Sequence, residues 1–342
     1  MEGHPPPELI ISPPLLNSAN PWATTLEHLQ ALHDSPHTGA VTTRTSLLKG
    51  FPHDDAIHQY RFFSPSTSVP SPEDDPAASS GSLNNLGYSP IPLSGYLNFI
   101  KTIHDALPST PRHTPKPFII SVTGSPNDVL GCYQLIVAAQ RNLPSTPLAM
   151  EINLSCPNIP NAPPPAYSAS GLTSYLSLLP SPPAIPVGLK TPPFTTAPQF
   201  DTLIKALRDS STVTTRTSLL RAPCRISFLT ATNTLGSCLV LAPAGDGAAF
   251  ENALPGLSGL GGMAGAPLHP LALGNVQTLS SMVAEHPELS HIKVIGVGGV
   301  GDADGFRRMK KVGASAVGVG TALGAQGVAV FETISEAFKD KP

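Results

Sequence analysis

The sequence has few of the residues that form compact metal sites in proteins. It contains only four cysteines among 342 residues, and none of them forms a CxxC pair. Its eleven histidines show neither HxH nor HExxH spacing. Because structural zinc and iron–sulfur sites depend on such clusters, the sequence predicts no metal site.

Charged residues are also scarce, at 13% of the chain, and the formal net charge is −3. No run of basic residues occurs anywhere in the sequence. Because phosphate backbones are bound by clustered lysine and arginine, we expect no nucleic-acid partner. The hydrophobic content of 40% still supplies enough apolar material for a core.

Long apolar stretches are missing as well. No window approaches the roughly 20 apolar residues that cross a bilayer as a helix. Residues 1–9 lack the basic region and apolar core of a secretory signal. We therefore expect a soluble, cytoplasmic protein with reduced thiols and no membrane partner.

Short apolar segments alternate with helical patterns along the chain. Residues 118–122, for example, form a β-branched run, whereas Leu26, Leu29 and Leu32 recur at helical spacing. The predicted strands lie near residues 40–43, 81–84, 118–122, 148–153, 185–190, 226–231, 293–298 and 315–319. Eight strands, most of them separated by helices, predict an α/β fold of the (β/α)8 TIM-barrel type. A doubly wound open sheet is the alternative.

The 40 prolines lie mostly between the apolar runs and indicate rigid loops. We interpret residues 1–342 as a single barrel domain with Pro-rich loop insertions at 64–82 and about 208–224. Residues 9–16 carry two short apolar runs. They predict a short N-terminal strand or hairpin that covers one end of the core.

Polar residues and glycines collect where the predicted strands end. The set comprises Arg44, Asn84, Asn153, Lys190, Asn233, Gly298 and Gly320. In a barrel the carboxyl ends of all strands meet at one face, and that face carries the active site. The pattern therefore favours the barrel over the open sheet and predicts a site at this face.

Two glycine clusters at the ends of the last two strands indicate a phosphate site. Gly298-Gly299 and Gly320-Thr321 each precede a predicted helix. Glycine lets the backbone approach a phosphate closely, and loops at these positions are a recurrent phosphate site of such barrels. The alternative is that these glycines only permit tight turns.

Lys190 ends an apolar strand, from which it could extend to solvent or stabilise an anionic cofactor ring such as a reduced flavin. The side chains of Asn84, Asn153, Asn158 and Asn233 offer both donors and acceptors. Such amides pair well with a planar ring that carries carbonyl and N–H groups. Each asparagine taken alone is also an ordinary turn residue.

The segment from Glu151 to Asn158 is unusually polar for the end of a buried strand. Buried amides and hydroxyls cost free energy unless they are paired, which indicates a polar, planar ligand. Within this segment, Cys156 has two interpretations: a general acid or base, or a small buried hydrophobic residue. Residue spacing leaves both open.

These motifs together resemble the class 1 dihydroorotate dehydrogenases, nearest the soluble class 1A enzymes, along nearly the whole chain. The most specific match is Asn153-Leu-Ser-Cys-Pro-Asn158. Supporting matches are Gly39-Ala-Val-Thr-Thr43, Asn84-Asn-Leu-Gly87, Gly188-Leu-Lys-Thr-Pro-Pro193, Asn233-Thr-Leu-Gly236, Gly259-Leu-Gly-Gly262, Pro270-Leu-Ala-Leu-Gly-Asn275, Gly296-Val-Gly-Gly299 and Gly320-Thr-Ala-Leu323.

The resemblance implies an FMN enzyme that oxidises dihydroorotate to orotate in pyrimidine biosynthesis. It implies that Cys156 removes a proton from C5 of the substrate while hydride passes from C6 to the flavin N5, with Lys190 beside the flavin. The implied catalytic residues are Cys156, Lys190 and Arg44. The cysteine at the base position argues against the quinone-linked class 2. A fumarate-like acceptor and a homodimer are implied by class 1A.

The binding residues follow from the same resemblance. The substrate would contact Arg44, Asn84, Asn85, Leu86, Gly87, Asn153, Asn158, Asn233 and Thr234. FMN would contact Ala19, Arg44, Thr45, Asn153, Lys190, Thr232, Gly262, Gly298, Gly299, Gly320 and Thr321.

Three departures from the family pattern fall mainly on the substrate side. Arg44 stands where the family usually has lysine, and Gly87 is not followed by the family's second Asn-containing turn. The segment from Asn17 to Asn20 has asparagine where the family has glycine near the flavin. Two further hypotheses are a related FMN oxidoreductase acting on another pyrimidine or enone, and a non-redox barrel that binds a phosphorylated metabolite.

Overall fold

The computed structural model describes residues 4–72, 79–108, 115–155, 164–214, 219–244, 249–256 and 258–338. Its α-helices are α1 (Leu26–Asp34), α2 (Leu93–Asp105), α3 (Pro126–Gln140), α4 (Ala169–Leu176), α5 (Ala197–Ser210), α6 (His269–Ala284), α7 (Ala303–Lys311), α8 (Thr321–Gln326) and α9 (Val330–Ser335).

The strands β1 to β8 are Leu15–Asn17, Val41–Thr42, Tyr60–Ser64, Val69–Pro70, Gly81–Asn84, Phe118–Val122, Leu148–Asn153 and Val187–Thr191. The strands β9 to β17 are Thr212–Thr214, Leu219–Arg221, Phe228–Ala231, Leu235–Cys238, Leu241–Ala244, Ala249–Asn252, Gly261–Gly265, Lys293–Val297 and Ala316–Val319.

Eight of these strands form one sheet, in the order β1-β17-β16-β11-β8-β7-β6-β2. Neighbouring strands pair in parallel, and a parallel bridge between Leu16 and Ala40 joins the two edges of the sheet. The sheet therefore closes. The predicted (β/α)8 barrel is confirmed, and the open sheet is excluded.

The prediction of one of the eight barrel strands, at residues 81–84, is wrong. Residues 81–84 form β5, which pairs antiparallel with β3 and β15 in a separate sheet ordered β12-β15-β5-β3-β4. The missing barrel strand is β1, at Leu15–Asn17. Leu83 packs instead in a small core with Phe63, Val240 and Leu254. A four-residue segment such as Gly81–Asn84 does not encode which sheet it joins, because its pairing partners lie far away in sequence.

The predicted insertions also carry regular structure. Within 64–82, β4 pairs with the end of β3 and continues the five-stranded sheet, while residues 73–78 lie outside the described ranges. Within 208–224, β9 and β10 form a hairpin. The segment 64–82 is therefore more than a loop, since it builds part of the sheet that stands beside the barrel mouth.

The barrel interior changes character along its axis. Its lower part is apolar and is filled by Leu16, Ala40, Ile119, Ala149, Phe228, Ile295, Val297 and Ala316, with Leu9 and Ile11 packed against them. Its upper part carries the buried polar side chains of Ser121, Glu151, Asn153, Lys190 and Thr230. The polar end is the carboxyl end of the strands, where the predicted site lies.

Helices begin at side chains that cap their free N–H groups. Thr25 caps α1, and Ser125 caps α3. The Asp302 carboxylate caps α7 by accepting a hydrogen bond of 2.6 Å from the Gly305 N–H. Such caps stabilise a helix by about 1 kcal/mol and fix where each βα loop ends at the barrel mouth.

Candidate active site

A cavity of about 360 Å³ lies at the carboxyl ends of the barrel strands, and Ser82 and Asn84 of β5 line one of its walls. Its volume falls in the usual range for small-molecule sites, about 300–1,000 Å³. The predicted site residues that line it are Ala19, Arg44, Thr45, Asn84, Leu86, Gly87, Asn153, Lys190, Thr232, Asn233, Thr234, Gly298, Gly299, Gly320 and Thr321.

Two predicted residues lie beside the cavity rather than on its wall. Asn85 accepts a hydrogen bond from the Gln59 N–H at 2.8 Å and donates to the Pro255 carbonyl at 3.2 Å. The Gly262 carbonyl accepts a hydrogen bond from Asn84 Nδ2 at 3.2 Å. Both residues therefore hold the segment that carries Asn84. The predicted residues Cys156 and Asn158 lie outside the described residues.

Asn153, at the end of β7, stands at the centre of a hydrogen-bond network. Its Oδ1 accepts from the Ser155 N–H at 3.2 Å, from Ser155 Oγ at 2.9 Å and from Asn233 Nδ2 at 3.3 Å. Its Nδ2 donates to Thr45 Oγ1 at 3.0 Å. Because a backbone N–H can only donate, Ser155 fixes which end of the Asn153 amide is the oxygen. The amide is therefore preorganised before any ligand binds.

Arg44 and Lys190 bring positive charge to the cavity. Lys190 is only 4% exposed and lies near the C-terminal end of the buried strand β8. Arg44 Nη2 donates to the carbonyl of Tyr88 at 3.3 Å, so its guanidinium holds the loop that follows Asn84. Burial lowers the pKa of the Arg44 guanidinium from its usual value, yet arginine remains protonated in proteins. The cavity therefore favours an anionic ligand.

The opposite part of the cavity is formed by glycine backbone. Gly298 and Gly299 have φ angles of +141° and +70°, which side chains other than glycine rarely adopt. A Cβ atom on Gly299 would lie 2.7 Å from the Gly265 carbonyl oxygen. Thr321, on the neighbouring strand end, shares a hydrogen bond of 2.8 Å with Ser82. Only glycine fits at these two positions, which leaves their backbone open to a ligand.

The cavity fits the FMN that the sequence resemblance implies. The buried Thr232 hydroxyl lines it and has no hydrogen-bond partner among the described residues. Since an unpaired buried hydroxyl costs free energy, a polar ligand atom is its natural partner. The glycine backbone at one end of the cavity suits a phosphate. The lysine, the amides and the unpaired hydroxyl suit a polar ring joined to that phosphate.

Several lining residues were not predicted from the sequence. They are Ser18, Asn20, Trp22, Tyr60, Ser82, Ala264, Gly265, Ala266, Asp302 and Gln326, among others. Trp22 is the single tryptophan of the chain, and it stacks on Phe62 with a centroid distance of 5.6 Å. A lone tryptophan beside the Asn17–Asn20 segment was an available signal. Tyr60 had none, because β3 reaches the cavity only through sheet pairing.

No helix in the described ranges is long and apolar enough to cross a membrane. The same part of the chain contains no group of three or more His, Cys, Asp or Glu side chains arranged to hold a metal ion.

Comparison with known proteins gives consistent matches. A family model described as dihydroorotate dehydrogenase matches residues 76–341. The dihydroorotate dehydrogenase (fumarate) of Trypanosoma brucei brucei is 26% identical over 332 residues, covering 96% of this chain and 90% of the relative. The protein of the same name from Trypanosoma cruzi is 27% identical over 259 residues, covering 75% of this chain and 71% of the relative.

Solved structures agree on the fold. The crystal structure of ligand-free type DHODH from Eimeria tenella superposes with a TM-score of 0.65 at 15% identity, covering 95% of this chain and 83% of that chain. At this identity the likeness shows the fold alone. The family model spans well over half of the sequence, so the resemblance drawn from the motifs is confirmed: this chain belongs to the dihydroorotate dehydrogenase family of oxidoreductases.

Proposed function

We propose that the protein oxidises dihydroorotate to orotate in pyrimidine biosynthesis, with FMN as its cofactor and fumarate as the electron acceptor. One observation carries the proposal: a single cavity joins the glycine wall at Gly298-Gly299 to the amides of Asn153 and Asn233. A ligand with a phosphate at one end and a planar polar ring at the other spans these two parts. The fumarate-linked relatives support the choice of acceptor.

The proposal assigns the FMN contacts as follows. The phosphate is held by the backbone at Gly298, Gly299, Gly320 and Thr321. The ring is held by Lys190 and by the polar groups of Thr45, Asn153 and Thr232, with Ala19 beside it. Bound FMN supplies the two-electron acceptor that the oxidation requires. Lys190, buried at the end of β8, stabilises negative charge on the ring.

The remaining residues act on the substrate. Asn84, Asn158, Asn233 and Thr234 bind the pyrimidine and its carboxylate, and Arg44 supplies positive charge. Cys156 takes the proton from C5 of dihydroorotate. Support comes from Ser155, the residue before it, which is fixed to Asn153 and accepts a hydrogen bond from Asn233 Nδ2 at 3.0 Å. The proposal includes a cytoplasmic homodimer, as the sequence resemblance implies.

Anaerobic mixing with dihydroorotate tests this proposal. The purified protein is expected to be yellow, and its flavin absorbance near 450 nm is expected to bleach on mixing. Addition of fumarate then restores the absorbance. A colourless protein that takes up no FMN contradicts both functions that involve a flavin and favours a non-redox barrel that binds a phosphorylated metabolite. A yellow protein that dihydroorotate does not bleach contradicts the substrate alone.

Arg44 motivates a second candidate, a related FMN oxidoreductase acting on another pyrimidine or an enone. Arginine presents a planar fork of donors where lysine presents a point charge, so the two are not equivalent at a binding site. Arg44→Lys, which installs the usual family residue, separates the candidates. If dihydroorotate is the substrate, the wild type already bleaches with it. Bleaching by dihydroorotate only in Arg44→Lys assigns the wild type a different substrate.

A further inference from the structure

A buried histidine stands directly behind the glycine wall of the cavity. His269, the first residue of α6, is 8% exposed and does not line the cavity itself. Its Nδ1 lies 2.6 Å from the carbonyl oxygen of Gly298. Its Cβ is one of the two nearest atoms that a Cβ on Gly299 would meet, at 2.7 Å, the other being the Gly265 carbonyl oxygen. The imidazole therefore contacts the Gly298 carbonyl, and the His269 Cβ lies beside Gly299, both on the side away from the ligand space.

An arginine on the next helix sets the tautomer of this imidazole. Arg308 Nε, in the last turn of α7, donates a hydrogen bond of 3.0 Å to His269 Nε2. A guanidinium has no acceptor, so Nε2 of His269 must be the unprotonated nitrogen. The ring is then neutral with its proton on Nδ1, and Nδ1 donates to the Gly298 carbonyl. A proton on Nε2 would place two N–H donors, those of His269 and Arg308, against each other.

The orientation of the Gly298 carbonyl fixes the next N–H group. The peptide between Gly298 and Gly299 is trans, so its C=O and N–H point in opposite directions. With the carbonyl directed at His269 behind the wall, the Gly299 N–H is directed towards the cavity. Within the described residues, this N–H has no backbone hydrogen-bond acceptor. It is available to an anion.

We propose that His269 and Arg308 are positioning residues for the anionic end of the ligand. Arg308 fixes the His269 tautomer, and His269 holds the Gly298 carbonyl away from the cavity so that the loop presents N–H groups to a phosphate. The part of this inference that concerns FMN rests on the proposed function. The part that concerns the imidazole tautomer does not.

The test compares FMN with riboflavin, which has the same ring and ribityl chain but no phosphate. Dissociation constants of both flavins are measured by fluorescence for the full-length protein and its variants. His269→Leu removes the Nδ1 donor and is expected to weaken FMN binding about tenfold, the effect of one hydrogen bond. Riboflavin binding is expected to change by less than about twofold, because riboflavin makes no phosphate contact.

Two further variants serve as controls. His269→Asn places an amide N–H where Nδ1–H stood and is expected to restore most of the FMN affinity. Arg308→Met and Arg307→Met each remove one positive charge from α7, but Arg307 pairs with Asp304, at 2.7 Å, on the same helix. Only Arg308→Met is expected to weaken FMN binding, by about threefold.

Several outcomes overturn the proposal. Equal losses of FMN and riboflavin affinity in His269→Leu would indicate a general disturbance of the fold. Unchanged FMN affinity would show that His269 does not position the phosphate site. Equal losses of FMN affinity in Arg307→Met and Arg308→Met would indicate that only the net charge of α7 affects binding. If the wild type binds neither flavin, the proposed function fails, and the 15N chemical shifts of the His269 ring then decide. They must report a neutral ring protonated on Nδ1; an Nε2–H or doubly protonated ring contradicts the inference.

Discussion

The carboxylate of Glu151 accepts a hydrogen bond from the hydroxyl of Thr230 at 2.6 Å, inside the barrel and beneath the cavity. Its other oxygen accepts from Ser121 Oγ at 2.9 Å. Glu151 is 2% exposed, so its two hydroxyl donors replace the water that it has lost. This carboxylate touches neither the cavity nor the solvent, yet it ends a chain of hydrogen bonds that begins at the cavity wall.

The chain has a defined direction. Ser121 has one hydroxyl proton and donates it to Glu151, so its contact of 2.9 Å with Thr45 must be donated by Thr45. Thr45 then accepts from Asn153 Nδ2. The buried carboxylate thereby supports the same orientation of the Asn153 amide that Ser155 imposes from the other end. The Glu151 carboxylate in the barrel interior therefore fixes the orientation of the neutral Asn153 amide in the site.

Ser121→Ala is expected to weaken orotate binding about three- to tenfold, because it removes the link between Glu151 and Thr45 and so loosens the Asn153 amide. The measurement is the dissociation constant of orotate, followed by the change in flavin absorbance. Thr230→Val is the matched control, since it removes a hydrogen bond from the same carboxylate without interrupting the chain to Asn153. Equal losses in the two variants would contradict a directional role.

Trp22 gives a second test, of where the flavin binds. It is the only tryptophan and lines the cavity, and a flavin absorbs at the wavelengths where tryptophan emits. Tryptophan emission from the FMN-bound protein is expected to be at least about fivefold weaker than from the same protein after FMN is removed. Trp22→Phe gives the background. Unquenched emission in a protein that retains FMN would place the flavin outside this cavity.

The sequence predicted the barrel because most of its strands carry their own signal. The strand β6 is an uninterrupted run of buried residues from Phe118 to Val122, as expected where helices cover one face and the barrel interior the other. The strands β1 and β5 were exchanged because each has only three or four residues. Their sheet is decided by partners elsewhere, which periodicity does not report.

The cavity lining was predicted better than the strand that carries part of it. Asn84 was expected at a barrel strand end, and it reaches the cavity from the neighbouring antiparallel sheet. A motif match locates such a residue without knowledge of its strand. The contacts of Ser121 and Glu151 were not predicted, because single polar residues inside apolar strands give no sign of which side chains they meet. His269 was missed for the same reason, as its partners lie 29 and 39 residues away.

Stability at alkaline pH tests a half-buried lysine, Lys116, below the barrel. Lys116 Nζ donates to the carbonyls of His33 and Ser35, at 2.6 and 2.7 Å, at the C-terminal end of α1. Burial lowers its pKa from 10.5 to about 8. Between these values the unfolded chain binds more protons at this side chain than the folded chain does. The contribution of Lys116 to the free energy of unfolding therefore rises with pH through this window and is lost as pH falls through about 8.

Lys116→Met removes this dependence. The difference between wild type and variant in the free energy of unfolding, from urea denaturation at pH 8 and pH 10, is expected to shift in favour of the wild type by on the order of 1 kcal/mol. Lys101→Met is the control, since Lys101 is exposed on α2 and pairs with Asp105 on the same helix. Parallel pH profiles for wild type and Lys116→Met would show that Lys116 keeps an ordinary pKa when folded.

Cys156 is the residue whose replacement tests the chemistry most directly. Cys156→Ala is expected to leave FMN bound, because it does not alter the glycines at Gly298-Gly299 or the proposed ring contact of Lys190. Flavin reduction by dihydroorotate is expected to slow by at least about a hundredfold, the usual scale for a lost general base. Stopped-flow absorbance under anaerobic conditions measures this rate, and the orotate dissociation constant, measured in parallel, separates lost chemistry from lost binding.

The matched control for Cys156→Ala is Cys132→Ala. Cys132 is buried on α3, and burial raises the pKa of its thiol to about 12, so it carries no thiolate near neutral pH. Its replacement removes a packing atom and is expected to lower the unfolding temperature by a few degrees while leaving the reduction rate within about twofold. If Cys156→Ala reduces its flavin as fast as Cys132→Ala does, the base must be another group. The hydroxyl of Ser155, 3.0 Å from Asn233 Nδ2, would then be the next residue to replace.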